Sequence, residues 1–487
     1  MLLKRLALGL SLAAALGATG CGSGEPAAAP EAQREPQRPR DIVLIVIDTL
    51  RASSVGAYAG QDRGTPVLDR LAREGVVFER ASSASSYTRE SVLSLFTGRL
   101  PSSVGRTGWN AAPAGDTVTL PFWMRRSGRR TVLASASVML EMPGFLRGFD
   151  EKQFVGGSQS VSRQSRRLSD VALAHAARDP ERPLFLYVHY LDPHAPYDPP
   201  VPPERPPGFR PIALYDAVRG HIGRLRESGF GPGEARFEDL RARYAAELRD
   251  VDAAVGHLLE GLAKQGRLER ALVVVTSDHG EEFLEHGYVE HAWTLYEESL
   301  HVPLVFHAPG MLPPARVRER VSAGLDVLPS ILTLAGLEPP PADGQGLFRW
   351  DGGAWQPDVS PHPIHSELGI QSRLLLRSVV RGSEKAIVAR RWLEPEERAR
   401  AVRENRIGPL PAGALPLDPW GAVVHEECFD LAADPGEQAP LAGPRCPAGL
   451  RDLIEARHPA TSRAPEPVPE GSLSDEERRR LEALGYL

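Results

Sequence analysis

The chain has 487 residues, of which 42% are hydrophobic and 25% charged, and a net charge of −6. That length accommodates two domains, or one large domain with a smaller partner, and the composition is ordinary for a globular protein. The basic residues are scattered among acids and create no positive field, which argues against nucleic acid as a partner.

The first residues, Met1-Leu2-Leu3-Lys4-Arg5, are basic, residues 6–18 are apolar or small, and Ala18-Thr19-Gly20-Cys21 follows. This pattern predicts a signal peptide over 1–20, with an apolar core too short for a permanent membrane span and a small-residue cleavage site. The Gly20-Cys21 junction resembles a bacterial lipobox, with Ala18 where Leu is usual. It implies a lipid anchor on Cys21 as the mature N-terminus, with simple secretion as the alternative. Residues 21–40, rich in Ala, Pro, Glu, Gln and Arg without an apolar period, read as a flexible tether. The expected location is the bacterial cell envelope, periplasm or cell surface, with the folded part held to a membrane by lipid. Two further cysteines, Cys428 and Cys446, could form one disulfide, which an exported location would permit.

The unbroken run Ile42-Val43-Leu44-Ile45-Val46-Ile47 predicts a fully buried strand, and it ends at Asp48. Residues 65–75 predict a helix capped by Thr65, with Pro66 at its first position and Gly75 after its end. A short strand at Val76-Val77-Phe78 and a polar loop over 82–88 follow. Residues 89–96 predict a helix that buries Val92, Leu93, Leu95 and Phe96. Thr88 therefore stands at a helix N-terminus, where backbone N–H groups and the helix dipole favour an anion, although it could simply cap the helix.

Leu184-Phe185-Leu186-Tyr187-Val188 is another buried strand, running into His189-Tyr190-Leu191-Asp192-Pro193-His194-Ala195-Pro196-Tyr197. Residues 200–240, rich in Pro, Gly and Arg, read as an irregular insertion, and 241–264 as a long amphipathic helix. Ala271-Leu272-Val273-Val274-Val275 is a third apolar run. It leads through Thr276-Ser277 to Asp278-His279-Gly280, an oxygen and a nitrogen ligand side by side at a strand end. Ligands of open α/β sheets collect there, and such a pair can hold a divalent metal. Further on, residues 302–306 predict a strand and 326–335 a helix. Alternating strands and helices predict an α/β fold with a doubly wound, mostly parallel sheet over 41–340. The shorter strand-like segments over 341–487 predict a smaller C-terminal α+β subdomain and tail.

Together these segments resemble the sulfatase family of the alkaline phosphatase superfamily. The resemblance rests on Val46-Ile47-Asp48-Thr49-Leu50-Arg51, Thr65-Pro66-Val67-Leu68-Asp69 and the stretch from Thr88 to Thr97-Gly98-Arg99. It continues in the His189 to Tyr197 segment, Ser277-Asp278-His279-Gly280-Glu281 and Tyr296-Glu297-Glu298-Ser299-Leu300-His301-Val302-Pro303-Leu304. Phe429-Asp430-Leu431 with Asp434-Pro435, and Leu484-Gly485-Tyr486, resemble the family's C-terminal signature and tail. The resemblance implies one divalent metal ion (Zn, Mn or Ca) held by Asp48, Thr88, Asp278 and His279. It also implies a nucleophile at Thr88, and His194 and His291 beside the ester or its leaving group. Arg89 is placed by proximity as a cation that neutralises the anion.

This chain departs from the family at several positions. Sulfatases proper carry Cys or Ser at the nucleophile position, followed by x-Pro-Ser-Arg, and oxidise it to formylglycine. Here the string is Thr88-Arg89-Glu90-Ser91-Val92, and Thr cannot be oxidised to that aldehyde. Thr serves as the nucleophile in related phosphodiesterases and phosphoethanolamine transferases. Thr49 stands where a second Asp is usual, and Ser53 where relatives often carry another. The expectation is an exported, metal-dependent hydrolase of sulfate or phosphate esters acting through Thr88. Its substrate would be a small-molecule, glycan or lipid ester. The alternatives are a cell-envelope phospho-group transferase and a non-catalytic binding protein with the same fold.

Overall fold

A run of six aliphatic residues makes a stable strand only when both of its faces are covered, and strand β1 (Asp41–Ile47) meets that condition. Ile42, Leu44 and Val46 pack into one apolar cluster, and Val43, Ile45 and Ile47 into another on the opposite face. The computed structural model describes residues 37–104, 111–113, 117–156, 164–206, 209, 229–370, 374–392, 420–441, 446–447 and 449–456. The leader, Cys21, most of the tether, the middle of the 200–240 insertion and the tail at Leu484-Gly485-Tyr486 lie outside the described residues. Among the described residues no helix is long and apolar enough to cross a membrane.

The strands that follow β1 are β2 (Val76–Ser82), β3 (Arg130–Ser135), β4 (Glu151–Phe154), β5 (Leu184–Tyr190) and β6 (Ala271–Thr276). After them come a small hairpin, β7 (Glu282–Phe283) and β8 (Val289–Glu290), and then β9 (His301–Val302), β10 (Leu304–His307) and β11 (Ala315–Ser322). The main sheet has nine strands, in the order β11-β2-β10-β6-β1-β5-β3-β4, with β9 pairing β2. It is mostly parallel, as expected. The exception on the main path is β10, antiparallel to both β2 and β6. The strand expected over 302–306 is two strands, because Pro303 has no N–H to donate and splits β9 from β10.

Helices cover both faces. Helix Ala235–Lys264 lays Leu248, Val251, Val255, Leu258 and Leu262 on one side, together with helices Pro66–Glu74 and Ser165–Ala176. Helices Thr88–Thr97 and Val327–Leu334 pack on the other. The long helix starts six residues before the expected 241, inside the stretch read as irregular. Glu234 caps it by accepting from the Arg236 and Phe237 N–H groups. At helix Pro66–Glu74, Thr65 does not supply the cap. Its hydroxyl accepts from Gly56, and Asp252 of the long helix accepts from the Val67 and Leu68 N–H groups at 3.0 and 2.9 Å. That substitution was invisible in sequence because the capping residue lies 185 positions away.

The C-terminal part contains a two-stranded ribbon, β12 (Phe348–Trp350) with β13 (Trp355–Pro357). It also contains a four-stranded antiparallel sheet of β14 (Ile364–Ile370), β15 (Leu374–Arg381), β16 (Glu384–Trp392) and β17 (Trp420–Asp430). Strand β14 reaches the main sheet's loops. The Ser366 hydroxyl donates to the Ser83 carbonyl, and the Glu367 N–H to the Ala84 carbonyl, at 2.7 and 2.8 Å. Farther along, the buried Lys385 ammonium pairs with Glu297 and Glu437 at 3.1 and 2.8 Å.

Cys428 on β17 is bonded to Cys446, closing a loop of 18 residues beside helix Leu450–Ala456. Replacing both cysteines by serine is expected to lower stability by about 2–4 kcal/mol, the loss typical of a loop of this length. Urea unfolding of the variant, beside wild type with and without reductant, checks this, and reduced wild type should match the variant.

Candidate active site

The register of three parallel strands brings the site together. Val46 of β1 lies opposite His189 of β5 on one side and Thr276 of β6 on the other. Two residues further, Asp48 and Asp278 are therefore level, at the carboxyl ends of adjacent strands. Ser277 stitches the two turns: its Oγ accepts from the Leu50 N–H at 2.9 Å and lies 2.6 Å from the Ile47 and His279 carbonyls.

Each carboxylate has one oxygen committed and one bare. Asp278 Oδ1 accepts from the Thr49 and His279 N–H groups at 3.3 and 2.9 Å. Asp48 Oδ2 accepts from His189 Nε2 at 3.3 Å. Asp48 Oδ1 and Asp278 Oδ2 are buried with no hydrogen-bond partner. His279 donates from Nδ1 to the Gly280 carbonyl at 3.0 Å, so its Nε2 carries a lone pair. That nitrogen is 3.7 Å from Asp48 Oδ1, 3.4 Å from Asp278 Oδ2 and 3.1 Å from Thr88 Oγ. Burial and the Asp278 charge push the Asp48 carboxyl well above its ordinary range. Lone pairs converging without donors between them fit a divalent cation, and Asp48, Asp278 and His279 are the residues that would hold it, with the Thr88 hydroxyl at its edge.

Thr88 is the first residue of helix Thr88–Thr97, one earlier than expected, and Ser91 N–H to the Tyr87 carbonyl is the first helical bond. Glu90, at the position where the family carries Pro, accepts from the Ser85 hydroxyl at 2.7 Å and from the Gly369 N–H of β14. Val92, at the usual Arg position, is fully buried in the aliphatic cluster. These departures therefore serve packing and anchoring. Thr49, at the second Asp position, adopts φ 56° and turns its N–H onto Asp278 and its carbonyl onto the Tyr244 hydroxyl.

Two further histidines extend the site. The His291 ring lies 4.4 Å from that of His279 and 4.8 Å from that of His194, centroid to centroid. His291 donates from Nδ1 to Glu281 at 2.9 Å, and Tyr197 donates to the other Glu281 oxygen at 2.7 Å. His194 donates from Nδ1 to the Ala195 carbonyl. Burial holds His194 down to about 4, and burial with the neighbouring His279 holds His291 well below its usual range, so both rings rest neutral. Arg89, buried beside Thr88, sends its Nε to the Met139 carbonyl at 3.2 Å. Asp192, which on composition alone could serve a second metal, instead accepts from Ser165 Oγ and the N–H groups that open helix Ser165–Ala176. His286 is likewise engaged, with Glu298 and the Glu437 carbonyl. Burial opposes its charge, but the Glu298 carboxylate outweighs burial and raises it to about 9.

His189 belongs to a strand-end segment whose composition suggests a loop facing the substrate, but the structure sets it behind Asp48. It is fully buried, held at about 4 by burial, and accepts from the Tyr187 hydroxyl at 2.8 Å, which fixes the Nε2–H that Asp48 receives. A polar residue ending an apolar strand, opposite Val46, was the available signal. Glu281 was missed in the same way.

The sequence matches the family model described as Sulfatase over residues 40–337. The chain is 22% identical over 402 residues to the N-acetylglucosamine-6-O-sulfatase of Bacteroides thetaiotaomicron, covering 64% of this chain and 71% of that protein. It is 25% identical over 399 residues to the multifunctional alkaline phosphatase superfamily protein PehA of Trinickia caryophylli, covering 63% and 76%. The solved phosphonate monoester hydrolase of Agrobacterium radiobacter superposes with a TM-score of 0.60 at 20% identity, over 86% of this chain and 93% of that one, and so shares the fold.

Two outcomes are expected. Asp48→Asn should weaken binding of Mn or Zn at least about 100-fold by calorimetry while raising metal-free stability by about 1–3 kcal/mol, since it removes an uncompensated buried carboxylate. Glu282, buried with one oxygen unpartnered, is raised to about 8 by burial and then by Glu298. The native state keeps this proton above pH 4.5 while the unfolded state releases it, so wild type loses stability as pH rises to about 8. In urea unfolding at pH 5.5 and 7.5, Glu282→Gln should gain on wild type by roughly 1.4 kcal/mol per pH unit.

Proposed function

The chain belongs to the sulfatase family, and from that membership we propose that it is a metal-dependent hydrolase of sulfate or phosphate esters whose nucleophile is Thr88. One observation carries the reading: the Thr88 hydroxyl stands at a helix start, 3.1 Å from the His279 lone pair that also faces two bare carboxylate oxygens. A divalent cation bound there supplies positive charge that favours the Thr88 alkoxide and draws an ester oxygen.

The protein's own residues do the rest. The first N–H groups of helix Thr88–Thr97 point toward the equatorial oxygens of the ester. Thr88 Oγ gives up its proton and bonds to sulfur or phosphorus, and the bond from that centre to the alkoxy oxygen breaks. The neutral ring of His194 or His291 takes up the proton that Thr88 gives up and delivers it to the departing oxygen. Glu281 keeps the His291 ring turned toward His279. Water then displaces Thr88 Oγ, which regains its proton. Arg89 contributes positive charge beside Thr88.

The signal-like leader and Cys21 support export with a lipid anchor. The Cys428–Cys446 bridge supports an oxidising compartment. The substrate is an ester on a small molecule, glycan or lipid.

The full chain, supplied with Zn, Mn or Ca in turn, is tested on 4-nitrophenyl sulfate and bis-4-nitrophenyl phosphate. Thr88→Ala should lose at least about 1,000-fold in kcat on whichever ester is turned over, with metal affinity retained within about tenfold. Turnover that survives in Thr88→Ala overturns the assignment.

A further inference from the structure

A cavity of about 350 Å³ opens between helix Ala235–Lys264, the turn after Asp48 and the β7–β8 hairpin. None of the residues placed around the cation or the ester lines it. Small-molecule sites commonly measure roughly 300–1,000 Å³ and set a few convergent polar groups against an apolar wall. Here the wall is Tyr244, Leu248 and Phe283, with the Tyr244 and Phe283 rings edge to face at 5.1 Å. The polar groups include three arginines, Arg51, Arg63 and Arg241.

Arg51 is the fixed member. Its side chain is 16% exposed, and its Cζ lies 5.7 Å from the centre of the Phe283 ring. Its Nη1 donates to one Glu285 oxygen at 2.6 Å, and the other Glu285 oxygen accepts from the Phe283 N–H at 2.6 Å, so both oxygens of that carboxylate are committed. The Arg51 N–H donates to the Tyr244 hydroxyl at 3.3 Å, which ties its backbone to the wall. The guanidinium edge formed by Nε and Nη2 is left over. Nε is buried without an acceptor, and Nη2 has none among the described residues. A buried charged donor is costly to leave unbonded, and this edge is the one that grips an oxyanion with two parallel hydrogen bonds.

The other charges leave room for an anion. Arg63 is exposed and has no ion pair among the described residues. Arg241 approaches Glu238 only to 3.8 Å, and Glu238 accepts from the Gly233 N–H at 3.0 Å. Three arginines against Glu238 and Glu285 give the lining a net positive charge. Ser53, at the position where relatives often carry Asp, adds a hydroxyl to the lining in place of a carboxylate.

We propose that this cavity is a second binding site, separate from the reaction site, for a small organic anion. Its oxyanion head (carboxylate, phosphonate or phosphate) sits between the three arginines, and its apolar body lies against Tyr244, Leu248 and Phe283. Such a site operates whether or not Thr88 is the nucleophile.

The probe is phenylphosphonate, which has no ester bond to cleave, titrated by calorimetry into the full chain with and without Mn. One equivalent should bind in both states with a Kd on the order of 0.1–1 mM. Arg63→Ala and Arg241→Ala, both at exposed positions, should each weaken binding about fivefold to tenfold. Arg51→Lys, which keeps the charge and removes the two-nitrogen edge, should weaken it at least about tenfold. Asp48→Asn should leave it unchanged. Inorganic phosphate, which lacks the ring, should bind at least about tenfold more weakly. Phosphate as tight as phenylphosphonate overturns the apolar half of the site. No saturable binding up to about 10 mM, or an affinity unchanged in all three arginine variants, overturns the whole. Binding seen only with Mn and lost in Asp48→Asn puts the anion on the reaction site and overturns it as well.

Discussion

Two buried carboxylates and an imidazole lone pair turned on one another form an arrangement that no protein keeps without a reason. Asp48 Oδ1, Asp278 Oδ2 and His279 Nε2 all accept and none donates, so without a cation they repel. The rest of the site is built to hold them there. Main-chain N–H groups of Thr49 and His279 fix one carboxylate, and His189, itself fixed by Tyr187, fixes the other. The in-register pairing of β1 with β5 and β6 makes those supports coincide. Local stability is given up at the strand ends, and two apolar clusters on either side of the sheet offset it.

The parts of this arrangement that depend on short-range pattern were readable from residues alone. The aliphatic runs before Asp48 and Asp278 announced buried strands, and the pairing of Asp278 with His279 announced a ligand site. Strands β3, β4 and β11 went unmarked, because Arg130–Ser135, Glu151–Phe154 and Ala315–Ser322 mix charged and small residues that give no clean period. The antiparallel direction of β10 was equally hidden, since direction depends on where the chain returns rather than on composition. The same limit explains the capping of helix Pro66–Glu74 by Asp252, and the roles of His189 and Glu281. Each depends on a partner many residues away, and only the fold reveals it.

The departures at Glu90 and Val92 leave the frame of the site in place. A proline and an arginine two and four positions after Thr88 would suit an aldehyde-bearing residue there. In their place Val92 joins the core, and Glu90 becomes a brace between the Ser85 hydroxyl and the edge of β14. The helix start that presents Thr88 is thereby tied to the C-terminal sheet, and the Ser83–Ala84 backbone is tied to it as well. The two parts are joined beside the candidate site.

That tie has a consequence for the order of events in the life of the chain. Ser83 and Glu90 take their partners from Ser366 and Gly369, 283 and 279 residues later. During synthesis the Thr88 loop therefore emerges long before the strand that braces it. Contacts of such sequence separation form late and slowly. The nascent amino-terminal half can collapse around β1, β2 and the helices beside them, yet the Thr88 loop stays without its final bracing until β14 has been made and has docked. The Thr88 loop thus takes its final form only in the nearly finished polypeptide.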